Sequence, residues 1–288
     1  MSQPLFLNQI QQNYKSLSKG HKKIADFIMQ DYDKAAFMTA ASVGEAVGVS
    51  ESTVVRFASE NGWKGYPELQ KYLQEMIRSH LTSVQRLHAA EVKLGSLDDS
   101  KILDSTMVAD AEMIRRTLDQ TSRPEFFAVV EAIQKAQRVY IQGTRSSAVL
   151  ANFLALYLNI LHPGVIFVDT HEQLLRINEH DMCIALSFPR YSKRTLTALR
   201  FARDRGATTV AITDAAHSPI AQVSQHVLLA ACDAVSFLDS LVAPLSLINA
   251  LLAACARSQG NKVYDTLHSL EDIWAQYEVY ATGEGGSA

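Results

Sequence analysis

Arginine, serine and threonine residues follow an apolar run in the second half of the sequence, where their side chains could bind an anion. The run RVYIQG predicts a strand that ends at Gly143, and SAVLANFLALYL after it predicts a helix. The unpaired N–H groups of a helix N-terminus attract anions. We therefore predict an anion site in the connecting loop, formed by Gly143, Thr144, Arg145, Ser146 and Ser147.

A second stretch of the same kind, MCIALSFPRYSKRTLTALRFA, predicts a buried strand, a polar turn and the start of another helix. Loops at the carboxyl ends of neighbouring parallel strands face one crevice. Because arginine binds phosphates and carboxylates in a forked geometry, the two loops together predict a ligand of one of these classes. The residues that we assign to the site from this stretch are Ser187, Arg190, Tyr191, Ser192, Arg194 and Thr195.

Other polar residues could reach the same crevice. These further residues are His171, Glu172, Lys193, Ser236 and Ser240. For them and for Arg194, the alternative interpretation is a solvated charge or a helix cap.

An enzyme that acts on the bound anion, such as an isomerase, is the alternative to a binding site. Such an enzyme needs a general base beside its substrate, and His171, Glu172 or His217 would have to serve. Nothing in the spacing of these residues requires that role. The sequence contains no cluster of metal ligands, no paired-cysteine motif and no nucleophile elbow. We therefore predict no catalytic residue, no metal and no cofactor.

The segment TAASVGEAVGVSESTVVRFASENGW has the pattern of two short helices joined by a tight turn. Gly48 permits the turn, and the Ser50 hydroxyl can cap the second helix. The spacing predicts that Val54, Val55 and Ala58 pack inward. A small helical bundle with solvated polar faces fits this spacing as well as a DNA-binding helix-turn-helix does.

A helix-turn-helix would place the start of its second helix in the major groove of DNA. Arg56 could then bind guanine O6 and N7 with two of its guanidinium N–H groups. Residues of the downstream run WKGYPELQKYL are expected to contact the DNA backbone. The predicted DNA contacts are Ser50, Glu51, Ser52, Thr53, Arg56, Lys64, Tyr66 and Lys71.

The composition is that of a globular protein that buries a substantial core. The 288 residues are 48% hydrophobic and 20% charged, with a net charge of −3. The first 80 residues hold nine Lys and Arg against eight Asp and Glu, so phosphate contacts must come from a local stripe. Three scattered cysteines in apolar runs, and the lack of an export or membrane-spanning stretch, predict a reducing cytoplasm and no membrane partner.

The order of these patterns predicts two domains of different class. Short helical bursts occupy the first part, and five β-rich runs alternate with amphipathic helices after Ser122. The predicted fold is an all-α helix-turn-helix domain followed by an α/β domain, whose parallel sheet is flanked by helices. The predicted boundaries are 1–80 for the first domain, 81–101 for a linker, 102–265 for the α/β domain, and 266–288 for a C-terminal helix and flexible tail.

Both halves resemble one protein family. The run SVGEAVGVSESTVVRFASENGWKGYPELQ resembles the N-terminal domain of RpiR-type regulators, in which S-x-S-T-V-x-R-F is followed by G-x-x-G-Y-x-E-L. The two polar loops resemble the phosphosugar loops G-x-G-x-S and S-x-S-G-x-T of the sugar isomerase (SIS) domain. On this resemblance, Ser146 or Ser147 matches the serine of the first loop, and Ser187 and Ser192 match the outer hydroxyls of the second.

The resemblance implies a transcription regulator that binds a double-stranded DNA operator as a homodimer or homotetramer. Its effector would be a small anionic metabolite, which is a phosphosugar in relatives of this kind. The sequence departs from the loop patterns at Arg145 and at Pro189-Arg190, which replaces Ser-Gly. A carboxylate is therefore the alternative effector.

Overall fold

A computed structural model describes residues 10, 14–80, 82–85, 87, 99–234 and 238–280 of the chain. The chain divides into two compact units, Met1–Thr82 and Ser83–Ala288. Ser236 and most of the expected linker at 81–101 lie outside the described residues.

The first unit is built from short helices: α1 (Lys19–Ala35), α2 (Ala40–Val47), α3 (Glu51–Glu60) and α4 (Tyr66–His80). A 3-10 turn at Tyr14–Ser16 precedes them, and α1 is kinked at Asp31. Hydroxyl side chains accept a hydrogen bond from the first turn of three of these helices, which satisfies N–H groups that the helix itself leaves unpaired. These capping residues are Ser18, Thr39 and Ser50.

Apolar residues at helical spacing form one core in this unit. Its fully buried members include Ile24, Ile28, Val43, Val54, Phe57, Leu69 and Leu73. Gly44 on α2 is essential to the packing, because a Cβ there would lie 2.8 Å from the Val49 carbonyl oxygen. The missing side chain lets α2 pack directly against the chain that enters α3.

A five-stranded parallel sheet forms the centre of the second unit. Its strands are β1 (Val139–Gly143), β2 (Val165–Phe167), β3 (Met182–Leu186), β4 (Thr208–Thr213) and β5 (His226–Leu229). The spatial order is β2-β1-β3-β4-β5, and every neighbouring pair is parallel. The chain therefore winds to opposite sides from β1, and the carboxyl ends of β1 and β3 form the switch point where ligands bind in sheets of this kind.

Helices cover both faces of the sheet. The helices of this unit are α5 (Ile102–Gln120), α6 (Arg123–Lys135), α7 (Ser146–Leu161), α8 (Lys193–Asp204), α9 (Val242–Ser258) and α10 (Lys262–Gln276), with 3-10 turns at Asp99–Lys101, His171–Leu174 and Ala221–Val223. Val139 and Ile141 of β1 share a cluster with Leu154 of α7, whereas Tyr140 shares another with Leu199 of α8. This alternation explains why β1 and β3 are buried along their full length.

The predicted fold class is confirmed: a helical unit with a helix-turn-helix precedes a unit with a parallel sheet flanked by helices. Helix α10 begins at Lys262, so the boundary expected at 265 falls inside this helix. Within the described ranges, no helix is both long and apolar enough to span a lipid bilayer.

Candidate functional site

Helix α3 follows a tight turn at Gly48. This glycine has φ 68° and ψ 50°, a left-handed conformation that side chains disfavour. The Ser50 hydroxyl accepts a hydrogen bond from the Thr53 N–H at 3.3 Å and so caps α3. The predictions for the turn and the cap are confirmed, and together they define where α3 begins.

Helix α3 has a buried face, formed by Val54, Phe57 and Ala58. Its opposite face exposes Glu51, Ser52, Val55 and Arg56. The prediction that Val55 packs inward is wrong, since 38% of its surface is exposed. Phe57 packs inward with Val54 and Ala58 instead, and this rotation of α3 about its axis turns Val55 outward.

Two of the predicted DNA contacts have structural roles at the start of α3. The hydroxyls of Ser50 and Thr53 lie 2.8 Å apart. Thr53 is half-buried, and a Cβ added at Gly20 of α1 would lie 3.4 Å from its methyl group. Ser50 and Thr53 therefore fix the cap and the contact with α1, while Glu51, Ser52 and Arg56 face outward.

Tyr66 is in the core and not at the surface. It is 2% exposed, its hydroxyl donates to the Ala35 carbonyl at 2.9 Å, and burial raises its pKa to about 12. The expected DNA contact is therefore wrong, because this ring completes the packing of α4 against α1. Lys64 and Lys71 are exposed, and their contacts with the DNA backbone remain a prediction.

The loops after β1 and β3 meet at the switch point of the sheet. Thr144 Oγ1 lies 3.0 Å from Thr195 Oγ1, which joins the first loop to the first turn of α8. Ser187 Oγ accepts a hydrogen bond from the Ser192 N–H at 3.1 Å and closes the second loop. The two groups of residues that the sequence singled out are thus neighbours in space.

Arg145 and Arg190 both have a backbone conformation that favours glycine. Their φ angles are 59° and 69°, and among the described residues Glu278 is the only other non-glycine with a positive φ. A positive φ of this kind costs a side-chain-bearing residue about 1–3 kcal/mol, and such strain is concentrated at functional sites. Both side chains are exposed, so each strained position carries a guanidinium group that is accessible to solvent.

The Arg145 and Arg190 positions are also those where the resembling loop patterns have glycine. With Gly143 aligned to the first glycine of G-x-G-x-S, Arg145 takes the place of the second. Each loop therefore has a positive φ, as a glycine loop can, but carries an arginine at that position.

Gly143 allows α7 to approach the end of β1. A Cβ at this position would lie 2.3 Å from the Ser147 carbonyl oxygen. Ser147 itself is only 5% exposed, whereas Arg145 and Ser146 are exposed at the N-terminus of α7. The accessible part of the first loop is therefore Thr144, Arg145 and Ser146, and Gly143 and Ser147 support it.

Tyr191 and Ser187 hold the second loop against β4. The Tyr191 hydroxyl donates to Asp214 Oδ1 at 2.8 Å, and the Thr213 hydroxyl donates to the Ser187 carbonyl at 2.8 Å. Burial raises the pKa of the Asp214 carboxyl to about 6, against a lowering by the Tyr191 hydrogen bond. These bonds position Arg190 between two anchored residues.

The polar residues around the crevice fall into distinct settings. Lys193 and Arg194 are exposed at the start of α8, and a His171 ring nitrogen lies 3.2 Å from the Arg194 carbonyl oxygen. Hydrogen bonds from its own backbone N–H and from Thr170 lower the pKa of Glu172, which makes it a weak general base.

Ser240 is engaged away from the two loops, because its hydroxyl donates to Asp110 of α5 at 2.6 Å. In the part of the chain that the structure describes, no group of His, Cys, Asp and Glu could hold a metal.

Arg190 has a further partner outside its loop. Its Nη1 donates to Ser83 Oγ at 3.0 Å. Ser83 is the first residue of the second compact unit. A ligand that bound the guanidinium would compete with this bond.

Comparisons with known proteins match both parts of the chain. Residues 5–80 match the helix-turn-helix domain of the rpiR family, and residues 132–254 match the SIS domain. The sugar isomerase domain of an RpiR transcription factor from Sphaerobacter thermophilus is 32% identical, with a TM-score of 0.57. The match covers 60% of this chain and 99% of that domain.

The chain belongs to the RpiR family of transcriptional regulators.

Two longer matches extend over both units of this RpiR-family regulator. An HTH-type transcriptional regulator of Haemophilus influenzae is 29% identical over 230 residues, which cover 77% of this chain and 78% of that protein. The NanR protein of Vibrio vulnificus, in complex with ManNAc-6P, is 23% identical with a TM-score of 0.59, covering 96% of this chain and all of the other. The second match shows that the fold is shared.

Sequence reasoning missed the lysines at the start of α1 in this RpiR-family protein. Lys19 and Lys23 are exposed and Lys22 is half-buried, 5.6 Å from the centre of the Tyr14 ring. Among the described residues, none of the three forms an ion pair within 4 Å. The basic run KGHKK after the Ser18 cap was the available signal, but its relation to α3 is not visible in the sequence.

The start of α1 lies beside α3. A Cβ built at Gly48, in the turn before α3, would lie 3.6 Å from Lys23 Nζ. Between the two helices is a depression of about 390 Å³, with His21, Arg56 and Glu60 in its wall. His21 Nδ1 lies 3.2 Å from the Glu60 carboxylate. Lys23 therefore lies beside the turn that enters α3, and Arg56 borders the same depression as His21 of α1.

Proposed function

We propose that this regulator binds operator DNA through α3 and that a small anion, bound between Arg145 and Arg190, changes its affinity for the operator. The observation that carries the proposal is the pair of strained arginines at the switch point of the sheet. Proteins retain arginines at such positive φ angles only where the surrounding structure enforces them. A binding role for the two guanidinium groups accounts for that cost.

The effector class that fits best is a sugar phosphate. The N-terminus of α7 and two guanidinium groups suit a dianionic phosphate, while Thr144 and Ser146 can bond sugar hydroxyls. The NanR protein, which shares this fold, was crystallised with ManNAc-6P, a sugar phosphate. A carboxylate metabolite meets the same cations and is the competing ligand class.

On the DNA side, we assign base reading to Arg56 and contacts with the phosphate backbone to Lys19, Lys22 and Lys23. Phosphate contacts set the position of the protein on DNA, and base contacts provide the sequence specificity. The near-neutral charge of the whole domain is compatible with this, because a few local cations suffice for phosphate contacts.

We further propose that the protein acts as a homodimer or homotetramer. One helix-turn-helix reads a short half-site, so a specific operator requires two reading helices. Helix α7 leaves Val149, Leu156 and Tyr157 exposed, at 67%, 63% and 45%. A second copy of the chain would cover such apolar side chains.

The DNA-reading role is tested with Arg56→Ala. Sites are first selected from a random duplex pool with the full-length protein, and affinities are then measured for the selected site and for a random duplex. We expect a roughly 5–100-fold loss on the selected site, since a bidentate arginine–guanine contact contributes about 1–3 kcal/mol. The loss on the random duplex should be far smaller. Equal losses on both duplexes would make Arg56 a phosphate contact.

The sensing role is tested by calorimetry with inorganic phosphate, N-acetylmannosamine 6-phosphate, glucose 6-phosphate and citrate. We expect one of these probes or a close analogue to bind the wild type and to bind the Arg145→Gly variant at least tenfold more weakly. In parallel, the protein is incubated with the sugar phosphates in D2O. Solvent deuterium incorporated into the sugar would identify an isomerase and contradict a purely sensing role.

A further inference from the structure

Val55 occupies the centre of the exposed face of α3. Ser52 and Ser59 lie one turn away on either side, and Arg56 is adjacent. Glu51, Ser52, Val55, Arg56 and Ser59 line one shallow surface depression. None of the buried residues of α3 lies on this face.

The neighbouring hydroxyls are already engaged by the helix itself. Ser59 Oγ donates to the Val55 carbonyl at 3.2 Å, and Ser52 Oγ lies 2.9 Å from the Ser50 hydroxyl that caps α3. By contrast, Val55 exposes 38% of its surface. The side chains that are accessible at the middle of this face are therefore one apolar group and one guanidinium.

The major groove offers one apolar group to a protein, the C5 methyl of thymine. An isopropyl side chain has neither donor nor acceptor, so it can discriminate bases only through such a contact or by excluding a polar group. Placed beside Arg56, which suits guanine, it would contact a base pair close to the one that Arg56 reads.

We propose that Val55 is a specificity-determining residue that contacts the methyl group of a thymine in the operator. The inference rests on the proposed DNA-reading role of α3. Val55 would thereby recognise a methyl group, which hydrogen-bonding side chains do not distinguish.

The test compares thymine with deoxyuridine, which lacks only the C5 methyl. In a site selected by the full-length wild-type protein, each thymine is replaced in turn and affinities are measured for the wild type and for Val55→Ala. At one thymine of each half-site we expect deoxyuridine to weaken wild-type binding about fourfold, the fold-change that corresponds to about 0.8 kcal/mol for one buried methylene-sized group. Val55→Ala should bind the thymine site about as weakly and should no longer distinguish the two bases.

The control is Val279→Ala, the same change at a valine of the C-terminal region that is 55% exposed. It should retain the wild-type preference for thymine. The inference is overturned if Val55→Ala discriminates thymine from deoxyuridine as well as the wild type does, or if no thymine responds. If the wild type selects no sequence over random DNA, the proposed DNA-reading role itself has failed, which is a different outcome. Alanine favours helix more than valine does, so loss of α3 cannot explain the expected result.

Discussion

At the residue scale, we propose that Arg145 and Arg190 determine what the crevice binds. A glycine at each position would allow the same backbone without strain and would let a phosphate approach the amides. The two arginines instead combine a strained backbone with a cation. Stability and ligand binding should therefore change in opposite directions when these residues are replaced.

We expect Arg190→Gly to raise the free energy of unfolding by about 1 kcal/mol, since glycine relieves the positive φ. The same variant should lose affinity for the anionic probe. Urea unfolding and calorimetry measure the two effects. Arg190→Ala is the matched control, because it removes the same guanidinium but keeps the Cβ, and so should lose affinity without the gain in stability. An unchanged stability for Arg190→Gly would show that the positive φ carries no strain.

Asp214 gives the crevice a pH-dependent contribution to stability. Its folded pKa is raised to about 6 by burial, so its charged form is disfavoured in the folded state. The protonated Asp214 carboxyl therefore contributes to the free energy of unfolding. This contribution is fully present below the unfolded pKa of about 4 and is lost as the pH rises through about 6. Asp214→Asn should therefore gain stability relative to the wild type between pH 4.5 and pH 7.5. Unfolding curves across that range measure the difference, and a constant difference would contradict the raised pKa.

At the element scale, the two helices of the DNA-binding motif could be predicted from the spacing of apolar residues, and all five strands from β-rich apolar runs. The buried strands read as continuous apolar runs, and Gly48 and Ser50 mark the turn by their chemistry. The rotation of α3 was harder to predict, because Val54 and Val55 are adjacent and chemically identical. Only the packing of Phe57 decides which of them faces the core.

The remaining features of the sites depend on tertiary structure. Tyr66 has a polar tip that suits a surface contact equally well, and its burial follows from the position of α4. Positive φ angles at Arg145 and Arg190 cannot be read from residue type, since arginine rarely adopts them. The lysines of α1 gain their significance from being next to α3, which lies some 30 residues later in the chain.

We expect the α1 lysines to account for much of the salt dependence of DNA binding. Each lysine that neutralises a phosphate contributes close to one to the slope of log affinity against log salt concentration. Lys19→Gln, Lys22→Gln and Lys23→Gln together should lower that slope by about three per bound subunit, for selected and random duplexes alike. Lys64→Gln with Lys71→Gln is the comparison. A larger change in this second variant would place the phosphate contacts on α4 and the loop before it.

At the scale of the whole molecule, a sensor must connect the crevice to the DNA-binding unit. Arg190 contacts Ser83, which directly follows the first unit in the chain. Allosteric coupling requires that a ligand binds two states of the protein with different affinity. An anion that takes the Arg190 guanidinium from Ser83 would provide such a difference.

The central claim is that an anion in the crevice alters operator affinity. Its most direct test is the anisotropy of a labelled operator duplex, titrated with full-length protein in the presence and absence of the sugar phosphate that calorimetry identifies. We predict a shift of fivefold or more in operator affinity for the wild type, and no shift for the Arg145→Gly, Arg190→Gly double variant, which should still bind the operator. A shift that persists in the double variant, or one of equal size on random DNA, would contradict the claim.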